Sequence, residues 1–174
     1  VMKFGGTSVG SIDKINNVAN IVEKQLKHKK LIVVLSAMSG VTNKMQEYID
    51  EIESSEIIEN DLILTSGEAV SVGLLSAILK KRNIKSIPLL GWQIPIITDS
   101  NHQKAKILNI DKVRIDKYLN DYDVLVVAGF QGIDIDGKIT SLGRGGSDTT
   151  AVAVAAAVDA CLLYTSDAAD ELSS

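Results

Sequence analysis

Leu31-Ile32-Val33-Val34-Leu35 is an unbroken apolar run, the pattern of a parallel strand covered on both faces and not of a half-exposed strand that alternates. Val124-Leu125-Val126-Val127-Ala128 has the same character and reads as the clearest central strand. Outward from the first run, Ile12, Ile15, Val18, Ala19, Val22 and Leu26 recur at helical spacing after Ser11, a residue suited to cap a helix. Val1 to Phe4 reads as the end of another buried strand, which makes the first part of the chain a βαβ unit. Farther on, an acidic connection around Glu51 to Asn60 leads to a helix over Leu62 to Leu79, a strand over Ile84 to Leu89 and a helix over Val113 to Leu119. Asp136-Gly137, between Ile133-Asp134-Ile135 and Lys138-Ile139-Thr140, is a hairpin signal, and Ala151 to Val158 is a small-residue helix able to pack closely on a sheet. This alternation predicts an α/β fold, a three-layer α/β/α sandwich with a mainly parallel sheet. No internal repeat interrupts it.

Composition agrees with one compact domain: 174 residues, 45% apolar, with only two prolines. No run approaches the eighteen apolar residues of a membrane span, and no Arg- or Lys-rich segment points to nucleic acid. His28 and His102 are isolated and Cys161 is the single cysteine, so neither a metal cluster nor a disulfide framework is expected. The default expectation is a cytoplasmic enzyme. Because the chain opens at Val1 inside a strand pattern, its true N-terminus is expected upstream. At the other end, Cys161-Leu162-Leu163-Tyr164-Thr165-Ser166-Asp167-Ala168-Ala169-Asp170-Glu171 resembles the conceptual translation of a transposase adapter from sequencing libraries. Residues 161–174 are therefore read as a non-native tail. From Tyr164 onward they are expected to stay outside the sheet, since they lack the apolar run of a central parallel strand. The tail holds three acids and no base, which accounts for most of the formal charge of −4.

The stretch Leu142-Gly143-Arg144-Gly145-Gly146-Ser147-Asp148-Thr149-Thr150 joins a glycine loop to a helix start and carries one fixed cation. Glycines let backbone N–H groups close on an anion, Ser147 can cap the helix, and a helix N-terminus favours negative charge. Arg144 can grip a carboxylate through two parallel hydrogen bonds. With Lys3-Phe4-Gly5-Gly6-Thr7-Ser8, this suggests one site that holds a phosphate and a carboxylate together. Generic phosphate motifs fit poorly. Gly5 and Gly10 have the outer spacing of a P-loop, but Ser11-Ile12 stands where Lys-Ser or Lys-Thr is needed. The later glycine loop ends in Asp and lies too late for a ribose-binding acid to follow, which disfavours a Rossmann dehydrogenase.

Four blocks carry a family resemblance: Lys3-Phe4-Gly5-Gly6-Thr7-Ser8, Ser36-Ala37-Met38-Ser39-Gly40-Val41-Thr42-Asn43, Ser66-Gly67-Glu68, and Gly143 to Thr150. Together and in this order they resemble the aspartokinases, members of the amino acid kinase family, over about residues 1 to 160. The resemblance implies the N-terminal part of a catalytic domain over 1–160, incomplete in its sandwich. It also implies phosphorylation of the L-aspartate side-chain carboxylate by ATP with Mg2+ to 4-phospho-L-aspartate, on the way to lysine, threonine and methionine. A homo-oligomer is expected of the full-length protein. Lys3 would contact the transferring phosphoryl group, with Phe4, Gly5 and Gly6 at the ATP phosphates. Thr7, Ser8, Ser36, Thr42, Glu68, Arg144, Gly145, Gly146 and Ser147 would surround aspartate: Glu68 at the amino group, Arg144 at the α-carboxylate, Ser147 supporting it. Asp148 would orient Lys3 or meet the amino group.

Each assignment has a plainer alternative. Lys3 alone reads as a surface lysine at a turn. Thr42 or Asn43 could merely cap the next helix, Glu68 could face water, and Asp148 could be an acid stabilised by a helix dipole. For the function itself, the alternatives are another amino acid kinase, acting on glutamate, acetylglutamate or a nucleoside monophosphate, and a catalytically silent amino-acid-binding fragment.

Overall fold

The computed structural model describes residues 1–27, 29–161 and 163–166. His28, Leu162 and the tail residues from Asp167 onward lie outside the described residues. The chain begins with β1 (Met2–Phe4), α1 (Ile12–Gln25) and β2 (Leu31–Leu35). Ser11 caps α1 as expected, its hydroxyl accepting from the Lys14 N–H at 3.2 Å. Next come α2 (Val41–Glu51), α3 (Ile57–Leu64) and α4 (Gly67–Lys81). The expected single helix over 62–79 is thus two, and part of the expected acidic connection is α3. Thr65 Oγ1 and Ser66 Oγ turn back onto the carbonyls of Asp61 (2.8 Å) and Ile63 (2.7 Å) where α3 ends.

The chain continues through β3 (Ser86–Leu89), β4 (Ile96–Thr98), β5 (Ile107–Ile110), α5 (Lys112–Asp121), β6 (Val124–Ala128), β7 (Gln131–Ile133), β8 (Ile139–Ser141), α6 (Gly146–Ala157) and β9 (Tyr164–Ser166). The main sheet has the order β3-β6-β2-β1-β9, and every pairing in it is parallel. A second sheet, β5-β4-β7-β8, is mostly antiparallel and includes the expected hairpin, with Gly137 at φ 78° in its turn. The sequence did not reveal this sheet, because β4 and β5 are only three and four residues long.

Side chains alternate across the central strands, so each strand feeds two cores. Val33, Leu35, Val124 and Val126 pack with Ile15, Val18 and Val22 of α1 and with Val72, Leu75 and Leu79 of α4. Ile32, Val34, Leu125 and Val127 pack on the opposite face with Ile115 of α5, Ala151 and Val154 of α6, and Ile96 and Ile110 of the second sheet. This is the three-layer arrangement, with the small sheet added to one layer.

Two expectations are corrected. Tyr164–Ser166 do join the main sheet, parallel to β1 and in register from Met2↔Tyr164 to Phe4↔Ser166. An edge strand needs only its backbone groups and one inward side; Ser166 is buried, while Tyr164 packs its ring 5.9 Å from Phe4. Ile57–Lys81 taken together is 25 residues and holds an 18-residue stretch with a mean hydropathy of 1.8, long and apolar enough to cross a membrane by those measures. Half of that stretch is buried within the protein, and Val72, Leu75 and Leu79 are core residues.

The cores predict where stability resides. Leu125→Ala, at a fully buried position, is expected to cost about 2–5 kcal/mol in urea unfolding. Ile135→Ala, at an exposed one, should stay within about 0.5 kcal/mol.

Candidate active site

The carboxyl ends of β1, β2 and β6 open into one cavity of about 310 Å³, lined by Lys3, Ser36, Glu68, Phe130, Ser147 and Asp148 among others. Loops gather at this edge because all three strands run the same way. Lys3 is the middle residue of β1, yet its side chain is only 6% exposed, so the surface-turn alternative fails. Its Nζ lies 2.9 Å from Asp148 Oδ1, in the first turn of α6. Asp148 is 57% exposed, so the pair straddles the cavity wall and contributes little to stability.

Two helices aim their N-termini at this space. In α2, Gly40 is the left-handed N-cap, and Thr42 and Asn43 stand inside the first turn, not at the cap. In α6, Gly145 at φ 69° takes the cap position expected of Ser147, which lies within the helix. Both ends present N–H groups and the positive ends of their dipoles. Gly143, at φ 78°, is needed on two counts: a Cβ there would also approach the Gln103 carbonyl oxygen to 3.1 Å.

Glu68 supplies the opposite charge. It is 2% exposed in the first turn of α4, and its Oε1 accepts the Ala37 N–H at 3.2 Å. Oε2 has no partner. Burial pushes this carboxyl up to about 7, although the hydrogen bonds from Ala37 and from its own backbone act in the other direction. Gly67 makes the approach possible, since a Cβ there would meet Ala37 Cβ and Val41 Cγ1 at 2.8 Å.

Of the residues expected at the site, Lys3, Gly6, Ser36, Thr42, Glu68, Gly145, Gly146, Ser147 and Asp148 line the cavity. The others do not. Phe4 is core, and the Gly5 N–H is taken by the Ser166 carbonyl at 3.1 Å. Ser8 is buried with its hydroxyl on the same carbonyl, and Thr7 is exposed outside the lining. Arg144 is exposed between two left-handed glycines and stands outside the lining, so its carboxylate-gripping geometry is not formed here. Sequence reasoning missed Phe130, which lines the cavity at φ 70°, a sparsely populated conformation for a bulky side chain. Its position just past the central strand was the available signal. Among the described residues, no group of three or more His, Cys, Asp or Glu is placed to hold a metal ion.

A buried ammonium, two helix N-termini and one buried carboxyl around a single cavity suit a ligand carrying both anionic groups and a cationic one. The amino acid kinase family model matches residues 1–169, and the chain belongs to the amino acid kinase family. Among its relatives are the aspartate kinase of Pseudomonas putida, 50% identical over 172 residues, and the aspartokinase of Geobacillus stearothermophilus, 46% identical over 169. Each match covers 95% of this chain but only 41% and 42% of the relative, so the chain spans less than half their length. Aspartate kinase from Synechocystis superposes with a TM-score of 0.78 at 38% identity, over 94% of this chain and 27% of that one. E. coli aspartokinase III in complex with aspartate and ADP superposes at 0.80 and 24% identity, over 94% and 48%, a likeness of fold.

The Glu68 carboxyl makes stability depend on pH. Its folded value lies above the ordinary 4.5, so folding favours the neutral acid: the contribution is complete below about pH 4.5 and lost as pH rises through about 7. Urea titrations between pH 4 and 8 should show the wild type losing about 3 kcal/mol relative to Glu68→Gln. Parallel pH curves for the two would remove the buried acid from the site.

Proposed function

We propose that this chain is the aspartate-binding part of an aspartate kinase, which transfers the γ-phosphoryl group of ATP to the side-chain carboxylate of L-aspartate. The observation that carries the reading is the one cavity lined by buried Lys3, its partner Asp148 and Glu68, whose Oε2 has no hydrogen-bond partner. The relatives named aspartokinase support the same substrate.

In this reading a carboxylate oxygen of aspartate attacks the γ-phosphorus; the new P–O bond forms, the bond to the β-phosphate oxygen breaks, and ADP leaves. The nucleophile is already ionised, so no general base is needed. The protein's work is to bring two anions together and balance the charge that moves between them. Lys3 meets the transferring phosphoryl group, and Asp148 holds the ammonium in place. The N–H groups opening α6 and α2 donate to anionic oxygens, with Ser36, Thr42 and Ser147 beside them. Ionised Glu68 takes the substrate ammonium through Oε2. Arg144 closes on the α-carboxylate from the rim, a movement its flanking glycines permit. Among the described residues no cluster of acidic or His side chains would hold Mg2+ unaided, so Mg2+ would enter with the nucleotide and would supply charge neutralisation at its phosphates.

The product is an activated acyl phosphate, consistent with entry into lysine, threonine and methionine synthesis in the cytoplasm, and the full-length protein is a homo-oligomer. Residues 161–174 remain a non-native tail in this reading. A second reading, an amino-acid-binding piece without turnover, is favoured by the share of its relatives' length that the chain spans. Binding of L-aspartate by the 174-residue chain without ADP release would select it.

The test is ADP release by the full-length protein containing this segment, with L-aspartate compared against L-glutamate, N-acetylglutamate and nucleoside monophosphates. Activity with aspartate alone is expected; preference for another acceptor would sink the assignment. Lys3→Ala should lower kcat by about 10²–10³-fold, the scale of a lost transition-state donor. Arg144→Lys should raise KM for aspartate and leave KM for ATP unchanged, since an ammonium cannot reproduce the guanidinium fork.

A further inference from the structure

We propose that Asp61 is a positioning residue for the phosphoryl transfer, a buried clamp that ties the glycine loop ahead of α6 to the helix break carrying Glu68. Its side chain is fully buried and lines no part of the cavity. A carboxylate so placed must be satisfied by donors, and here they come from two other elements. Ser141 Oγ, at the end of β8, donates to Oδ1 at 2.6 Å. His102 Nδ1 lies 2.7 Å from Oδ2, and the Gln103 N–H is 3.2 Å from both oxygens.

Each partner leads to the site. Ser141 is followed directly by Leu142 and Gly143, and the Gln103 carbonyl packs where Gly143 has no Cβ. On the other side, the Asp61 carbonyl accepts both the N–H of Thr65 at 3.1 Å and its hydroxyl at 2.8 Å, three residues before Glu68. His102 is itself anchored: its side chain is 6% exposed and its Nε2 lies 3.8 Å from Asp134 Oδ2 at the hairpin. Asp134 is fixed in turn by the N–H groups of Asp136 and Lys138 at 3.0 and 2.9 Å. Helix α3, the β4–β5 loop and β8 therefore meet at one carboxylate, and the two segments it joins hold the amino group and the α-carboxylate of one amino acid in the aspartate-kinase reading. The kinetic part of the inference rests on that reading.

The experiment compares Asp61→Asn and Ser141→Ala with wild type in the full-length protein, by steady-state kinetics and by amide hydrogen exchange. With the clamp cut, KM for L-aspartate should rise about tenfold, the scale of one lost hydrogen bond to a charged group, with KM for ATP unchanged. Exchange at Gly143 to Ser147 should accelerate while β2 and β6 keep their protection. A cluster that serves only the fold would instead lower kcat through the fraction of folded enzyme and move neither KM. That result, or a Ser141→Ala protein with wild-type KM and wild-type loop exchange, overturns the proposal. Should Asp61→Asn fail to fold, Ser141→Ala decides. A wild type that releases no ADP with aspartate sinks the function reading alone, and loop exchange in Ser141→Ala still decides the clamp.

Discussion

An ammonium group drawn into the end of a parallel sheet sets the terms for the rest of this molecule. Lys3 occupies the centre of a three-residue strand, and removing its charge from water carries a penalty that only a close partner offsets. Asp148 is that partner, and it can serve only if α6 begins where β1 ends. The start of α6 in turn requires Gly145 in a left-handed cap, Gly143 lying flat against the Gln103 carbonyl, and Gly129 with no side chain under Ser147. The Lys3–Asp148 contact thus joins β1 to the start of a helix more than a hundred residues away.

The cavity balances that cation and the two helix dipoles against a single buried acid. Glu68 is held where water cannot reach it, and its carboxyl is pushed up to about 7, so near neutrality its charge responds to what binds beside it. A cationic group arriving next to Oε2 would favour the ionised form, whereas burial acts towards the neutral one. In the aspartate-kinase reading, the ammonium of the substrate completes the charge pattern of the cavity.

Much of this was legible in the sequence, and the illegible parts have physical reasons. The runs at Leu31 and Val124 could be read because burial on both faces leaves no other use for five consecutive apolar residues. Ser11 announced α1 because a capping hydroxyl and a helical period coincide. The second sheet could not be read: β4 has three residues and β5 has two exposed side chains, too little pattern to separate from loop. The break between α3 and α4 was passed over because apolar residues resume on both sides of Thr65-Ser66-Gly67-Glu68, while Thr65 and Ser66 end the first helix through side-chain bonds that no spacing reveals. At the site, several small and charged residues near strand ends line the cavity, whereas Ser8 and Arg144 stand outside its lining. A motif fixes which residues are present and not whether a hydroxyl turns inward or a guanidinium lies over the rim. Phe130 went unread because, beyond its place after a strand, nothing in its sequence surroundings separates an aromatic at a cavity from one in the core.

The register of the main sheet also has a consequence for biosynthesis. Leu31 pairs with Val124, so the most apolar segment of the chain is made long before the strand that covers one of its edges. At roughly 5–20 residues per second, that wait lasts on the order of 5–20 s on the ribosome. During it, β2 has β1 on one side and an open edge of unpaired N–H and C=O groups on the other, the kind of surface that recruits a second nascent chain. Polysome spacing and chaperone supply, as much as the stability of the finished fold, will govern how much of this protein is recovered in soluble form.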